Sequence, residues 1–536
     1  METDQAPAKA ESGQAAAIAF LADPRTHGGA AVQRFETHGA LVFVAGERAY
    51  KIKRAVRYPY LDFSTLDLRE AALRRELALN RLTAPELYID VRALRRGTDG
   101  ALTFDGTASG PVAEWVLVMQ AFEQEDLLDS IASRGALDEP LIAEIAEAVI
   151  ESHRSAEILR SPRPHRGGQV GIAEVATEND VDFAARPDLF SEKDFAELRE
   201  RTAAAIARLG PLLDRRLADG KVRRCHGDLH LRNICLVEGR PRLFDALEFD
   251  EAMASIDLLY DLAFLLMDLE QRGLRTQANL LLNRYVQAGE EEATLAALPL
   301  FLSLRAAIRA KVAAATEAAD SDPTHRDRLR AEARRYFAAA LGYLSPPSPC
   351  LLAVGGLSGS GKSSLARRLA PRLGPAPGAL LLRSDLLRKQ LYDVQESERL
   401  PPEAYSAEAS VRVYKALQAK AAAALSAGHA VVLDAVHARA DEREAAEALA
   451  RERALPFLGL WLDVPAETLV QRVEARCGDA SDATADVVRQ QLGYDLGLMT
   501  WEPLAAGRDL AEVEVEAGRR VEARLAGSLA APVDSP

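Results

Sequence analysis

A chain of 536 residues is too long for one hydrophobic core and sets an expectation of two or three domains. Its 48% hydrophobic and 27% charged content is ordinary for globular protein, and a net charge of −14 disfavours a general nucleic-acid binder. Four cysteines are too few for a disulfide framework at this length, so a reducing, cytoplasmic setting is expected.

The N-terminus, "METDQAPAKAESGQAAAIAFLADP", carries Glu2 and Asp4 where a signal peptide carries Lys or Arg. It reads as a flexible lead over 1–28 containing a short helix, and no later window predicts a membrane span. From Gly39, "GALVFVAGERAYKIKRAV" alternates as two strands around a tight turn at Ala45–Arg48. "LREAALRRELALNRL" has helical spacing, and "PELYIDVRALRRG" and "EWVLVMQAF" read as further strands. A helix-rich region then runs from Glu125 to about Leu341, and "SPPSPC" at Ser345–Cys350 cannot continue a helix. Beyond it, "CLLAVGGLSGSGKSSLARRLA", "ALLLRSDLLRKQ", "HAVVLDAV" and "LPFLGLWLDVPAETLVQRVEARC" alternate apolar strands with helices, the mark of a parallel sheet covered on both faces. Arg outnumbers Lys 56 to 10, as coding from a GC-rich genome produces. A Lys inside a phosphate motif therefore stands out, and Lys51, Lys53 and Lys362 are such residues.

Two stretches carry chemistry. In "CHGDLHLRNICL", Cys225, His226, His230 and Cys235 invite a zinc reading. Adjacent Cys225 and His226 on a strand end point to opposite sides, and the spacing matches no common zinc module. Phosphotransfer explains more: His226, Asp228, Leu229 and Asn233 reproduce H-x-D-L-x-x-x-N. Such an Asp reaches the substrate hydroxyl while the Asn holds a metal on the phosphate side. "RLFDALEF" follows "NICLVEGRP" as a hairpin and offers Asp245 as a second oxygen ligand, a pair suited to Mg²⁺. Upstream, Lys51 or Lys53 precedes a helix containing Glu76, the order a Lys–Glu pair on the nucleotide needs. Both lysines face the same side of their strand, so spacing does not choose between them; Lys51 is preferred.

These residues, above all "HGDLHLRNI", resemble the aminoglycoside phosphotransferase and choline kinase-like group over roughly 30–340. The resemblance implies a two-lobed protein-kinase-like fold with ATP in the cleft and "VLVMQAF" as hinge. It also implies Asp228 as base, Asn233 and Asp245 as Mg²⁺ ligands, and His226 as a structural residue. No G-x-G-x-x-G precedes Lys51 and no Gly follows Asp245, which points away from protein kinases. Asp257 and Asp261, in "SIDLLYDLAFLL", read as loop-bracing or capping carboxylates.

The second stretch, Gly356, Leu357, Ser358, Gly359, Ser360, Gly361, Lys362 and Ser363, meets G-x-x-x-x-G-K-[ST] in full between a strand and a helix, with Ser364 following. Loop N–H groups and the helix N-terminus cradle phosphate, Lys362 reaches the β/γ groups and Ser363 ligates Mg²⁺. The block over roughly 349–525 resembles the small P-loop kinases, among them gluconate kinase, zeta toxins and polynucleotide kinase. In such kinases a carboxylate placed like Asp385 accepts the substrate hydroxyl proton. The resemblance makes Arg388 a grip on substrate, Asp434 a Walker-B-type acid, and Arg472 and Arg476 lid arginines on the transferred phosphoryl group.

The expected fold is α/β and α+β and multidomain. A two-lobed kinase-like domain over 29–342 (lobes 29–123 and 124–342) is joined by a 343–349 linker to a P-loop NTPase domain over 350–526, whose parallel sheet is flanked by helices, with a tail over 527–536. The expected function is a bifunctional ATP- and Mg²⁺-dependent phosphotransferase acting on hydroxylated small molecules, with no membrane and no nucleic-acid partner. A regulatory nucleotide-binding protein and a polynucleotide 5′-kinase are the alternatives.

Overall fold

The computed structural model of the chain describes residues 6–37, 39–58, 61–104, 110–159, 164–289, 292–475 and 481–529. They form two compact units, one made of Met1–Val175 with Leu213–Leu265, the other of Ala176–Leu212 with Leu266–Pro536. Helices that precede 343–349 pack with the sheet that follows it, so both belong to the second unit.

In the first unit the strands β1 (Val32–Glu36), β2 (Ala40–Ala45), β3 (Arg48–Lys53), β4 (Tyr88–Arg96), β5 (Leu102–Phe104) and β6 (Val112–Gln120) form one sheet in the order β1-β2-β3-β6-β4-β5. Its neighbouring strands pair antiparallel. Side chains alternate along a strand, so Ile52 packs on one face with Leu41, Phe43, Leu94 and Val116 beneath the Ala6–Ala22 helix. Ala49, Lys51 and Lys53 face the other way, towards the Leu66–Asn80 helix. That helix starts where Thr65 Oγ1 accepts the Leu68 N–H at 3.3 Å, and it buries Ala72, Leu73, Glu76, Leu77 and Asn80 at helical spacing. Glu76 is thus carried into the sheet on the buried face of the helix, beside Leu73 and Leu77. Further along, β7 (Val222–Arg224), β8 (Ile234–Val237), β9 (Arg240–Leu243) and β10 (Ser255–Asp257) make two short ladders, β8–β9 and β7–β10.

The second unit contains helices Arg275–Gly289, Leu298–Ala319 and Pro323–Tyr343, and a five-stranded sheet. Glu292–Ala319 is long and apolar enough to cross a membrane by composition, yet 67% of its most apolar window is buried within the protein, as in a core helix. The sheet strands β11 (Leu351–Gly355), β12 (Leu380–Arg383), β13 (Val431–Asp434), β14 (Phe457–Asp463) and β15 (Glu502–Ala505) run in the order β12-β13-β11-β14-β15, all pairings parallel. The strand carrying the glycine loop is central, and ligands of open parallel sheets sit off the carboxyl ends of such strands. Leu352, Val354, Leu365, Leu369, Leu460, Val513 and Val521 form the core between sheet and helices.

Candidate active sites

The first site is a network of charges. Lys51 Nζ lies 2.6 Å from Glu76 Oε1 and 2.6 Å from Asp245 Oδ1, while Lys53 Nζ lies 2.7 Å from Glu76 Oε2 and 2.5 Å from Glu248 Oε1. Glu76 serves both lysines with separate oxygens, which separates their roles: Lys51 faces the open Asp245, and Lys53 faces a buried acid. Burial works against the charge on Lys51, but Asp245 and Glu76 outweigh it and hold the ammonium well above the ordinary lysine range. Burial likewise opposes the charge on Lys53, and Glu76 and Glu248 raise it. Gln14, on the first helix, fixes the end of β3 by donating to Lys53 O at 2.8 Å and to Glu114 Oε2 at 2.6 Å.

The Asp228–Asn233 loop is braced from several sides. Asn233 Nδ2 donates to Asp228 O at 2.9 Å and to Asp228 Oδ2 at 3.0 Å. His226 Nε2 donates to Phe244 O at 2.9 Å, leaving Nδ1 to accept the Asp228 N–H at 3.3 Å, and burial holds this imidazole below its usual range and neutral. Phe244 N–H donates to Asn233 O and Leu247 N–H to His226 O, both at 3.0 Å, so the Asp228 and Asp245 segments are tied together. Asp245 adopts φ +59°, a left-handed conformation that Asp tolerates, and its N–H donates to Tyr88 Oη at 3.0 Å. Asn80 Oδ1 accepts the Ala246 N–H at 2.8 Å, fastening the end of the Glu76 helix to the same segment. Within this rigid frame the side chains of Asp228 and Asp245 are 42% and 44% exposed, whereas Glu76 is fully buried. The two open carboxylates and Asn233 Oδ1 suit an oxygen-ligated cation.

Asp257 pairs with Arg216 through both oxygens at 2.7 Å, and Asp261 accepts the Gly227 N–H at 2.9 Å and lies 3.2 Å from His153 Nε2. Both are bracing carboxylates. Cys235 lies in the apolar core; Cys225 sits with His153 and Asp261, whose possible ligand atoms all fall within 4.8 Å, but its thiol donates to Ile256 O at 3.5 Å.

At the second site backbone dominates. The loop after β11 places Gly356, Gly359 and Gly361 at φ +150°, +86° and +89°, and the Lys362–Leu369 helix begins at Lys362. A Cβ on Gly359 would lie 2.6 Å from Leu469 O, so the loop closes on the Ala466–Glu474 helix only because no side chain is there. Leu357 packs against the core, Ser358 N–H donates to Gln491 Oε1 at 2.8 Å, Ser363 is half-buried and Ser364 is exposed. Ser360 Oγ and Asp434 Oδ1 are buried without hydrogen-bond partners, and orphaned polar atoms beside a glycine loop fit a hydrated cation and phosphate. The other Asp434 oxygen accepts from Arg383 Nε at 3.2 Å. Asp385 is half-buried in the first turn of Ser384–Leu391, immediately after β12.

The arginines are engaged by protein. Arg388 Nη1 donates to Ala404 O at 2.5 Å, with its guanidinium 5.2 Å from the Tyr405 ring centre. Arg472 donates to Ala506 O at 3.0 Å and Arg508 O at 3.3 Å. Arg476 lies outside the described residues. Sequence reasoning missed Glu248, Tyr88, Asn80, Gln491 and His437. Only Glu248, three residues after Asp245, left a signal. His437 is buried in a left-handed conformation (φ +50°) with neither ring nitrogen partnered, between Tyr414 and Trp501, and burial depresses it to about 3.

The phosphotransferase enzyme family model matches residues 68–298, and an AAA domain model matches residues 351–494. An uncharacterized protein of Mycobacterium tuberculosis (strain H37Rv) and one of Mycobacterium bovis are each 30% identical over 472 residues, 86% of this chain and 90% of the relative. Among solved structures, a choline/ethanolamine kinase family protein from Mesorhizobium loti is 17% identical at TM-score 0.37, covering 62% of this chain and 99% of that one. A gluconokinase from Sinorhizobium meliloti is 21% identical at TM-score 0.24, covering 33% of this chain and 96% of that one. The chain belongs to the family of these mycobacterial proteins and is an ATP-dependent kinase that joins an aminoglycoside-phosphotransferase-type domain to a P-loop kinase domain.

Proposed function

We propose that the chain is bifunctional, with two ATP sites that each phosphorylate a hydroxyl group of a small molecule. At the first site Asp228 accepts the hydroxyl proton, Asn233 and Asp245 hold Mg²⁺, and Lys51, oriented by Glu76, neutralises phosphate charge. At the second the loop N–H groups and Lys362 hold phosphate, Ser363 and Asp434 serve the metal, and Asp385 accepts the acceptor's proton. Arg388 contacts substrate, and Arg472 and Arg476 balance charge on the transferred phosphoryl group. Mg²⁺ with ATP supplies the phosphoryl group and the charge that screens its oxygens; the residues named bind, orient and move the proton.

The observation that carries this reading is the Lys51 bridge between Glu76 and Asp245, with Asp228 open beside it. Lys51 is the nucleotide lysine in this reading, and Lys53 braces Glu76 from behind. A small acceptor fits the net charge of −14, since phosphate-tracking contacts to nucleic acid need a basic surface. The test is transfer of label from γ-labelled ATP in a panel of hydroxylated metabolites and aminoglycosides. Label should reach small molecules. Label found only on oligonucleotide 5′ ends, and lost in Asp385→Ala, would overturn the reading.

A further inference from the structure

Asp385 follows β12, and β12 is an edge strand. An edge leaves outward backbone groups to be satisfied by something else. Leu380 N–H donates into the sheet, to Ala430 O at 2.9 Å, so Ala379 C=O and Leu381 N–H point outward. Both are met by the Arg275–Gly289 helix: Asn279 Nδ2 donates to Ala379 O at 3.0 Å, and Leu381 N–H donates to Asn283 Oδ1 at 2.6 Å. The two asparagines are one helical turn apart, and Asn283 Nδ2 is anchored on Asn279 O at 2.9 Å. One amide donates and the other accepts, as a neighbouring strand would.

Gly378 (φ +118°) makes the approach possible, because a Cβ there would lie 2.9 Å from Asn279 Nδ2 and 2.6 Å from Pro371 Cα. On the far side of Asp385, Gln390 Nε2 donates to Gln287 O at 3.0 Å, and Arg284 Nη1 lies 3.3 Å from Glu396 Oε2. The strand–helix turn that carries Asp385 is therefore clamped before and after that residue. The clamping helix falls inside the 68–298 match and the clamped strand inside the 351–494 match.

We propose that Asn279 and Asn283 are positioning residues for the P-loop kinase reaction: a helix of the phosphotransferase segment holds Asp385 at the place the acceptor hydroxyl requires. The proposal rests on the reading of Asp385 as acceptor base.

The test uses the full chain with the first site silenced by Asp228→Ala. Asn283→Leu removes the outward acceptor at similar volume, and Asn283→Asp keeps it. Hydrogen exchange over residues 379–391 should rise roughly tenfold in Asn283→Leu, the loss of one buried bond. Calorimetric binding of Mg²⁺–ATP should change by less than about twofold, since the glycine loop is untouched. Transfer of γ-label to small molecules of a cell extract should fall by roughly tenfold or more, as misplacement of a catalytic group predicts. Asn283→Asp keeps the acceptor for Leu381 N–H but puts an oxygen against Asn279 O in place of Nδ2, so it should recover only part of both losses. Unchanged exchange and transfer, or transfer falling only with the folded fraction, would mean the asparagines merely cover an edge. Should Asn283→Leu not fold, Gln390→Ala tests the far clamp by the same readouts. Asp385→Ala run in parallel separates the two readings: full transfer there removes the base assignment, whereas loss there with intact transfer in Asn283→Leu removes only the clamp.

Discussion

The two candidate sites are built from different materials. In the first unit, Lys51, Lys53, Glu76 and Glu248 are buried side chains whose charges are balanced only by one another, with Asp245 at the open edge. In the second, the loop from Gly356 to Gly361 is backbone turned through positive-φ glycines into the Lys362–Leu369 helix, and the described residues offer Lys362 no ion-pair partner. Buried charges are costly to orphan, so the first site's function and stability are entangled. A backbone cradle carries no such debt, so the second site should be disabled by single substitutions without loss of fold.

The largest expected effect separates chemistry from binding. With the P-loop disabled by Lys362→Ala, Asp228→Ala should lower first-site turnover by about 10²–10⁴, the range for a positioned general base, while ATP still binds. Unchanged turnover in steady-state assays would remove Asp228 from its role.

Stability sharpens the contrast next. Lys51→Met leaves two buried acids facing one lysine and should cost the first unit about 3–5 kcal/mol, the range for breaking a buried pair. Lys362→Met should cost the second unit no more than about 1 kcal/mol. Denaturant unfolding followed at Trp115 for the first unit, and at Trp461 and Trp501 for the second, reads both.

Alkali should act on the raised lysines of the first unit, whereas acid should act on buried histidines of both units. Burial depresses His429 to about 4 and His437 to about 3, so their neutral forms contribute stability that is present above the unfolded value and lost as pH falls below it. Each loses its contribution between about pH 6.5 and its own folded value, and no more below that. His226 in the first unit is depressed as well, so two such groups stand against one. Lys51 and Lys53 are raised, and their contribution is fully present below the ordinary lysine value and lost only as pH rises through the folded ones. His437→Phe should therefore move the acid midpoint of Trp501 fluorescence to lower pH. An unmoved midpoint would show that this histidine is not a titrating liability.

The smallest effect concerns the helix that delivers Glu76. Removing its cap by Thr65→Ala should cost about 1 kcal/mol without changing nucleotide stoichiometry. A loss of ATP binding in that variant would show that Glu76 is far more finely placed than its packing suggests.

Much of this was legible in the chain because local rules and global fold agree. The β2–β3 turn, the β8–β9 hairpin, the glycine loop and the Glu76 helix follow from period, turn residues and spacing. The edge strands β1 and β15 were missed: "VQRFE" is polar and exposed, and "EPLA" contains Pro503, which reads as a breaker. Lys51 and Lys53 were indistinguishable because a strand repeats every two residues; only the partners supplied by distant segments, Asp245 for one and Glu248 for the other, tell them apart. Asn279 and Asn283 left no mark at all, since an asparagine pair on a helix has no meaning until the strand edge it meets is known.

The central claim, two ATP sites of independent construction, is tested most directly by calorimetric titration of the full chain with Mg²⁺ and a non-hydrolysable ATP analogue. The account predicts two nucleotides bound per wild-type chain and one in Lys362→Ala, with the remaining site keeping its affinity. One nucleotide per wild-type chain, or loss of both sites in Lys362→Ala, would contradict it.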